Sequence, residues 1–494
     1  MTTESSLLLA VDSQEEDVIH FDSKTAWKEA KTLGSLAWPV SIANLLQFTI
    51  TSASVFSLGH VGTDYLAASA LAIMLCNVTG NCVAQGMASA LDTLCSQSFT
   101  GSNDKHSLGK HLQRGLFVCL LLCIPIAVLW YNAEVVLLLL GQDPQISALA
   151  GDFTRWMIPG LYPVFINECL RRYLQCQGIM KPSMYITGFA AVLSMFLQWL
   201  LVWSSINVGP MGAPIATSIV NIFVPSVTVI YIRYFEGAER WGGFDMNEIF
   251  DYHQLVEIFK LGLPGVAMIA SEWLAFEAVA LAAGILGNHI LAAQTIVLNT
   301  CSLMYMLPLG LSVATTTRIG NCLGAKLPNT SRGVAMTALL FSLGLAAFNA
   351  SFFMIVREYW GYLFTSDPQV VQLVSDVFPL AALYQLSDNT GAIGGAAMRG
   401  CGLQKYGAII NLTGYYIIGL PVGLFLTFYN GMGLFGLWLG LTLGLLFVST
   451  AQVIILFRMD WDYQAEVAAK RVGGYQILND EEDGRTISSD TEEQ

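Results

Sequence analysis

The chain has 494 residues, 54% apolar and 12% charged, with mean hydropathy +0.57 and net charge −13. An ordinary soluble domain carries about 25% charged residues, so a water-soluble globule is excluded. The acidic balance excludes a nucleic-acid-binding surface, which needs a basic face. The ten cysteines include no CxxC pair. They suit small membrane-helix positions rather than disulfides or a metal centre, and no motif calls for a cofactor.

Residues 1–30 are polar and acidic, with no secretory leader, and are expected to form a disordered cytosolic segment. Within them, Glu4 to Leu9 reads ESSLLL, an acidic dileucine sorting pattern short enough to arise by chance. Apolar runs of spanning length, about 20 residues each, then recur. They lie near 33–58, 66–94, 113–140, 152–174, 183–206, 212–235, 255–284, 290–317, 332–356, 371–397, 406–429 and 433–457. Residues 458–494, with Asp480, Glu481, Glu482 and Asp483, are expected to be a solvated acidic cytosolic tail. The expected fold is an all-α integral membrane protein with twelve transmembrane helices.

Twelve spans put both termini on one side. That side receives 21 of the 23 Lys and Arg residues, and the other only Arg155 and Arg357. Basic residues favour the cytosolic side, so both termini are expected there. The sequon at Asn329 then lies in a cytosolic loop and is expected to stay unmodified.

The two halves repeat. Pro39, Gly59, Gly62, Leu66, Ala67 and Ala68 recur 225 residues later as Pro264, Gly284, Gly287, Leu291, Ala292 and Ala293. From the second helix onward the offset is 224: Gly86 matches Gly310, Asp143-Pro144-Gln145 matches Asp367-Pro368-Gln369, and Gly178 matches Gly402. A one-residue deletion in the second helix of the repeat accounts for the change. The series points to duplication, giving an N-lobe over 31–235, a cytosolic linker over 236–254 and a C-lobe over 255–457. Six helices per copy relate the lobes by a pseudo-two-fold axis along the membrane normal. Such a frame suits alternating access around a midplane site.

The seventh apolar run, Pro264 to Gly284, reads PGVAMIASEWLAFEAVALAAG and carries Glu272 and Glu277. Ionisable groups at membrane depth are costly and mark pathways. Five residues apart is roughly 140° around a helix, so the two acids cannot share a direction. Their repeat counterparts are Gln47 and Ser52, and that of Asp388 is Val164. Acids present in one copy only place the expected ion-handling site in the C-lobe.

In order along this frame stand Gly86 to Gln97 (GMASALDTLCSQ), Glu272-Trp273, Phe276-Glu277, Asn299-Thr300, Tyr305-Met306, Pro308, Gly310, Thr317-Arg318 and Asn321. Met398 to Gly402 (MRGCG), Gln404, Asn411-Leu412 and Tyr415-Tyr416 follow. Over about 33–457 the chain resembles the multidrug and toxic compound extrusion (MATE) family, in its eukaryotic branch. The resemblance implies a secondary transporter that exports organic cations or xenobiotics in exchange for protons. It implies Glu272 and Asp388 as the proton-responsive pair, with Glu277 as a second acid in substrate or proton handling. Two departures stand out. Some animal members carry an acid where this chain has Asn299, and the first lobe lacks the helix-one aspartate of some prokaryotic members.

The physics of the residues agrees. Burial disfavours the charged form of a carboxyl, and two neighbouring acids split their titrations, so a buried pair can load and release a proton. Trp273, Phe276, Tyr305, Tyr384, Tyr415 and Tyr416 suit cation–π or stacking walls and equally suit packing. Asn299 is a candidate partner for the acids. Pro264 and Pro308 permit bending, as a hinge or a fixed kink. Asp92, Glu168, Arg171 and Arg172 read as structural or cytosolic-gate elements. No Walker loop, GxSxG elbow or HExxH helix is present, so no enzyme is expected. A lipid-linked-precursor flippase would need basic cavity residues, whereas these helices are acidic. Sodium in place of protons remains open. The chain is expected to act as a monomer in a plasma or vacuolar/lysosomal-type membrane.

Overall fold

A backbone in hydrocarbon must satisfy its own hydrogen bonds, so each apolar run closes into a helix. The computed structural model describes residues 23–59, 62–204 and 208–473. The dileucine-like stretch and the Asp480–Asp483 run lie outside the described residues. The N-lobe contains α1 (Ser23–Gly59), α2 (Thr63–Cys76, a π turn at Asn77–Asn81, then Cys82–Gly101), α3 (Ser107–Tyr131), α4 (Pro144–Cys176), α5 (Lys181–Trp203) and α6 (Gly212–Tyr234). The C-lobe contains α7 (Tyr252–Leu286), α8 (Asn288–Gly324), α9 (Pro328–Val356), α10 (Pro368–Cys401), α11 (Gln404–Phe428) and α12 (Gly433–Arg458). These are the twelve expected spans.

Eleven are long and apolar enough to cross a bilayer by composition alone. The twelfth, α4, carries five charged residues that are paired. Arg155 meets Asp152 at 2.7 Å and Glu134 at 3.3 Å, Arg171 meets Glu168 at 3.1 Å, and Arg172 meets Asp92 at 3.3 Å.

The repeat governs local structure. Asp143 and Asp367 each cap a helix that opens on proline, accepting from the backbone N–H of Gln145 and Gln369, both at 2.9 Å. Proline at the first helical position loses no hydrogen bond there. Gly178 and Gly402, which follow α4 and α10, have φ of 78° and 79°, the left-handed closure glycine adopts without strain. The slip from offset 225 to 224 falls at the π turn of α2, which holds one extra residue; the matching part of α8 is continuous α-helix.

The lobes meet through matched close approaches. A Cβ on Gly86 would lie 2.3 Å from the Val266 Cα, and one on its counterpart Gly310 would lie 2.7 Å from the Ala37 carbonyl oxygen. From this depth to the Lys/Arg-rich face the lobes are stitched together. Ser41 Oγ donates to Leu307 O (3.1 Å), Gln97 to Gly400 O (2.9 Å), Thr100 to Asn321 O (2.6 Å) and Asn321 to Cys176 O (3.2 Å). Buried Arg318 grips buried Glu29 through Nε (3.2 Å) and Nη2 (2.7 Å). One apolar core runs through both lobes here, whereas toward the other face the C-lobe and N-lobe keep separate cores.

Three expectations need correction. Residues 23–30 are not disordered: they open α1, because Glu29 has a buried partner in Arg318. The third span ends at Tyr131 rather than 140. Asn132 turns its side-chain amide back to Val128 O (2.8 Å), and a separate helix, Ala133–Leu139, follows. The tail is not solvated throughout. Residues 461–473 form α13, whose Trp461, Ala465, Ala468 and Val472 bury one face at helical spacing. Arg471 of α13 donates to Gln97 Oε1 at 2.7 Å and lies 3.6 Å from Glu257. Burial lowers its pKa, opposed by Glu257. The linker is docked too: Arg114 of α3 is fully buried against Glu248.

Candidate functional site

The site begins where α7 crosses α2. A Cβ on Gly265 would lie 2.6 Å from Gly86 O, so this side of α7 faces the N-lobe. Glu272 is seven residues on, two turns along the same side and roughly 10 Å further from the Lys/Arg-rich face. Leu263, Leu274, Leu281 and Ile285 form the exposed stripe on the opposite side. Glu272 therefore faces the protein interior and not lipid.

The polar run of α10 is fixed by its neighbours. Gln385 accepts from Asn349 of α9 (3.0 Å) and donates to Cys301 O of α8 (3.4 Å), while Asn389 donates to Gln385 O (2.6 Å). This scaffold presents buried Asp388 within electrostatic reach of Glu272. Neither acid has a salt-bridge partner among the described residues. Tyr305, Tyr384 and Tyr415 each lie within reach of both acids. Phe276 meets Tyr384 edge-on with centroids 6.2 Å apart, and Tyr384 meets Trp438 at 5.4 Å.

The remaining expected residues are dispersed. Glu277 is half-buried, about 140° around α7 from Glu272, and does not join the pair. Trp273 is 37% exposed on the flank of α7. Tyr416 donates its hydroxyl to Ser271 O at 3.2 Å, joining α11 to α7 beside Glu272. Asn299 is exposed and hydrogen-bonds to neither acid; eleven residues before Gly310, it shares the side of α8 that faces α1. Pro264 and Pro308 lie inside continuous helices. Proline frees the carbonyl four residues back, and for Pro308 that carbonyl, Met304 O, accepts from Asn349 at 3.4 Å.

Asp92 lies between Arg172 of α4 (3.3 Å) and Arg399 of α10 (3.9 Å), and so bridges the lobes. Arg399 also donates to Ser312 Oγ at 2.8 Å and stands within electrostatic reach of Glu272. Sequence reasoning missed Arg399, Glu29, Arg318 and Trp438 as parts of this architecture. Their partners are 54 or more positions away, and no spacing rule links them. On the far face, Asp367 meets His289 at 2.8 Å. Its carboxylate is held below the usual range, first by the Gln369 backbone N–H and then by His289.

The MatE family model matches twice, over residues 39–200 and 264–425, one match per repeat. An uncharacterized transporter of Schizosaccharomyces pombe is 37% identical, covering 95% of this chain and 86% of its own length. Protein DETOXIFICATION 16 of Arabidopsis thaliana is 33% identical, over 92% and 93%. Multidrug and toxin extrusion protein 2 of Oryctolagus cuniculus is 33% identical, over 94% and 78%. Among solved structures, the eukaryotic MATE transporter AtDTX14 superposes with TM-score 0.85 at 31% identity, covering 90% of this chain and 99% of that one. With both lobes matched and relatives above 30% identity along nine-tenths of its length, the chain belongs to the MatE family of multi-pass membrane transporters.

Proposed function

We propose that this transporter exports organic cations in exchange for protons, with Glu272 and Asp388 as the exchanging groups. The observation that carries the reading is an interior acid pair with no salt-bridge partner among the described residues, with Tyr305, Tyr384 and Tyr415 within electrostatic reach of both acids. When the pair is ionised, the cavity attracts a cation; when protonated, it releases it. That difference in affinity between protonation states is what lets one ion drive the other's movement. Aromatic faces add cation–π attraction, which fits relatives named for multidrug and toxin extrusion.

Both termini lie in the cytosol, on the Lys/Arg-rich face, so the structure is closed toward the cytosol. Each cycle then parts the lobes on that face and seals them on the other. A single chain holds the whole acid pair and both lobes, so the monomer is the working unit. The host membrane separates the cytosol from a more acidic space, outside the cell or within an organelle.

Purified protein in vesicles, with a fluorescent organic cation and an imposed pH gradient, tests the reading. Uptake is expected to follow the gradient and to persist when choline replaces sodium. Uptake indifferent to the pH gradient, or lost with sodium, would contradict proton exchange.

A further inference from the structure

The acid pair lies wholly in the C-lobe and leaves the facing part of the N-lobe without a role. On α2, Asn77, Asn81 and Gln85 are all half-buried. They recur every four residues, so they form one polar stripe at membrane depth. Amides there face an interior or a cavity rather than lipid. The direction of the stripe is fixed by Asp92, two turns beyond Gln85 on the same side, which reaches Arg172 of α4 and Arg399 of α10. The stripe therefore points to the axis between the lobes. The adjacent sides of the π turn are taken: Thr79 accepts from Trp130 of α3 at 2.9 Å, and a Cβ on Gly80 would lie 2.6 Å from the same ring.

The depth of the stripe matches the acid. The helices α2 and α7 are antiparallel and cross at Gly86 and Val266. Glu272 lies six residues beyond Val266, or roughly 9 Å, and the same distance back along α2 reaches residue 80. Consistent with this, Cys82 stands within electrostatic reach of Glu272.

The repeat gives independent support. At offset 224 the counterpart of Asn81 is Tyr305, which borders both acids. The extra residue that separates the two copies sits in the π turn Asn77–Asn81, and single π turns recur at functional sites. Asn81 donates to Asn77 Oδ1 at 2.7 Å. The Asn81 side-chain oxygen Oδ1 and the Gln85 side-chain amide have no hydrogen-bond partner among the described residues.

We infer that the Asn77–Asn81–Gln85 stripe of α2 is the N-lobe half of the cargo site, selecting organic cations whose polar end carries N–H or O–H groups. The inference rests on the proposed transport of organic cations. The cation's charge sits against the C-lobe acids, while its hydrogen-bonding end meets the neutral amides. A cation with charge but no such hydrogens gains nothing from the stripe.

Two probes in reconstituted vesicles separate these cases. A fluorescent bis-amidinium dye presents N–H donors, and tetraphenylphosphonium presents none. Asn81→Ala and Gln85→Ala are expected to raise the apparent KM for the dye about tenfold, with maximal rate kept, and to leave tetraphenylphosphonium within twofold. Asn81→Gln is expected to recover much of the dye affinity. Unchanged KM for both cations, or equal weakening of both, overturns the inference. Should Asn81→Ala fail to reconstitute, Gln85→Ala and Asn81→Gln decide on the same two cations. Wild-type protein that moves neither cation under a pH gradient would instead refute the transport reading itself.

Discussion

Substitution of Glu29 by glutamine probes the seal between the lobes. The Glu29 and Arg318 side chains are 7% and 5% exposed, and they meet through two hydrogen bonds of 3.2 and 2.7 Å. They join the start of α1 to the end of α8, one in each lobe. Removing one member of a buried pair costs about 3–5 kcal/mol, because the other charge stays buried without compensation. When the lobes part on this face, both groups meet water and that penalty disappears. Glu29→Gln therefore shifts the balance away from the sealed form by about two to three and a half powers of ten, at 1.4 kcal/mol per tenfold. Backbone hydrogen exchange of detergent-solubilised protein measures it. Protection is expected to fall in residues 24–34 and 314–326 while the far halves of α9 and α12 keep theirs. The control is Glu134→Gln, whose pair with Arg155 is 37% exposed and lies within one lobe; exposed pairs contribute about 1 kcal/mol or less, so little change is expected. Unchanged protection in Glu29→Gln, or an equal loss throughout the chain, would refute the reasoning.

Other substitutions follow from the same geometry. Gly86→Ala puts its methyl against the Val266 backbone, whereas at Gly310 the nearest atom is the rotatable Ser41 hydroxyl, with the Ala37 carbonyl behind it. Both variants are expected to lower the melting temperature, Gly86→Ala more; the reverse order in a thermal-shift series would show that the crossing is misread. Asp367→Ala removes the cap of α10. Because the folded-state pKa of Asp367 is lowered, its contribution is present above the ordinary carboxylate range and is lost as pH falls through the folded value. The stability gap to wild type is thus expected to stay level from neutral to mildly acidic pH and to close only in stronger acid. A gap that widened as pH fell would contradict the capping role.

Much of the fold was legible because hydrocarbon leaves a chain few options. Even α4, with five charged residues, was placed as a spanning run at 152–174, and its ions pair as the Glu168, Arg171 and Arg172 spacing allowed. The repeat offset located the π turn of α2 to within one helix, since an inserted residue must bulge or shift every later contact. The break at Asn132 was not legible, because the apolar run continues through Ala133–Leu139 and only one side-chain hydrogen bond marks the stop. The helix at 461–473 was hidden by the charged residues of both signs around its apolar face, Asp462, Glu466, Lys470 and Arg471, and by the acidic run that follows it in sequence. In the site, Glu272 and Asp388 stood out as acids in apolar runs, and Tyr305, Tyr384 and Tyr415 were named as aromatics suited to cation–π contact or packing. Glu277, Trp273 and Asn299 share those helices but turn elsewhere, a matter of azimuth that burial reveals and spacing alone left open. The pairing of Glu29 with Arg318, 289 residues apart, has no local signal at all.

The central claim is that one carboxylate pair exchanges protons for a cation, and the flux of protons tests it most directly. Vesicles holding a pH-sensitive dye are preloaded with the organic cation and then diluted, with no pH gradient imposed. In the wild type, cation leaving the vesicle is expected to drive protons inward and acidify the lumen. Glu272→Gln and Asp388→Asn are each expected to abolish that acidification while the protein remains folded. Acidification that survives both substitutions at the wild-type rate would contradict the account.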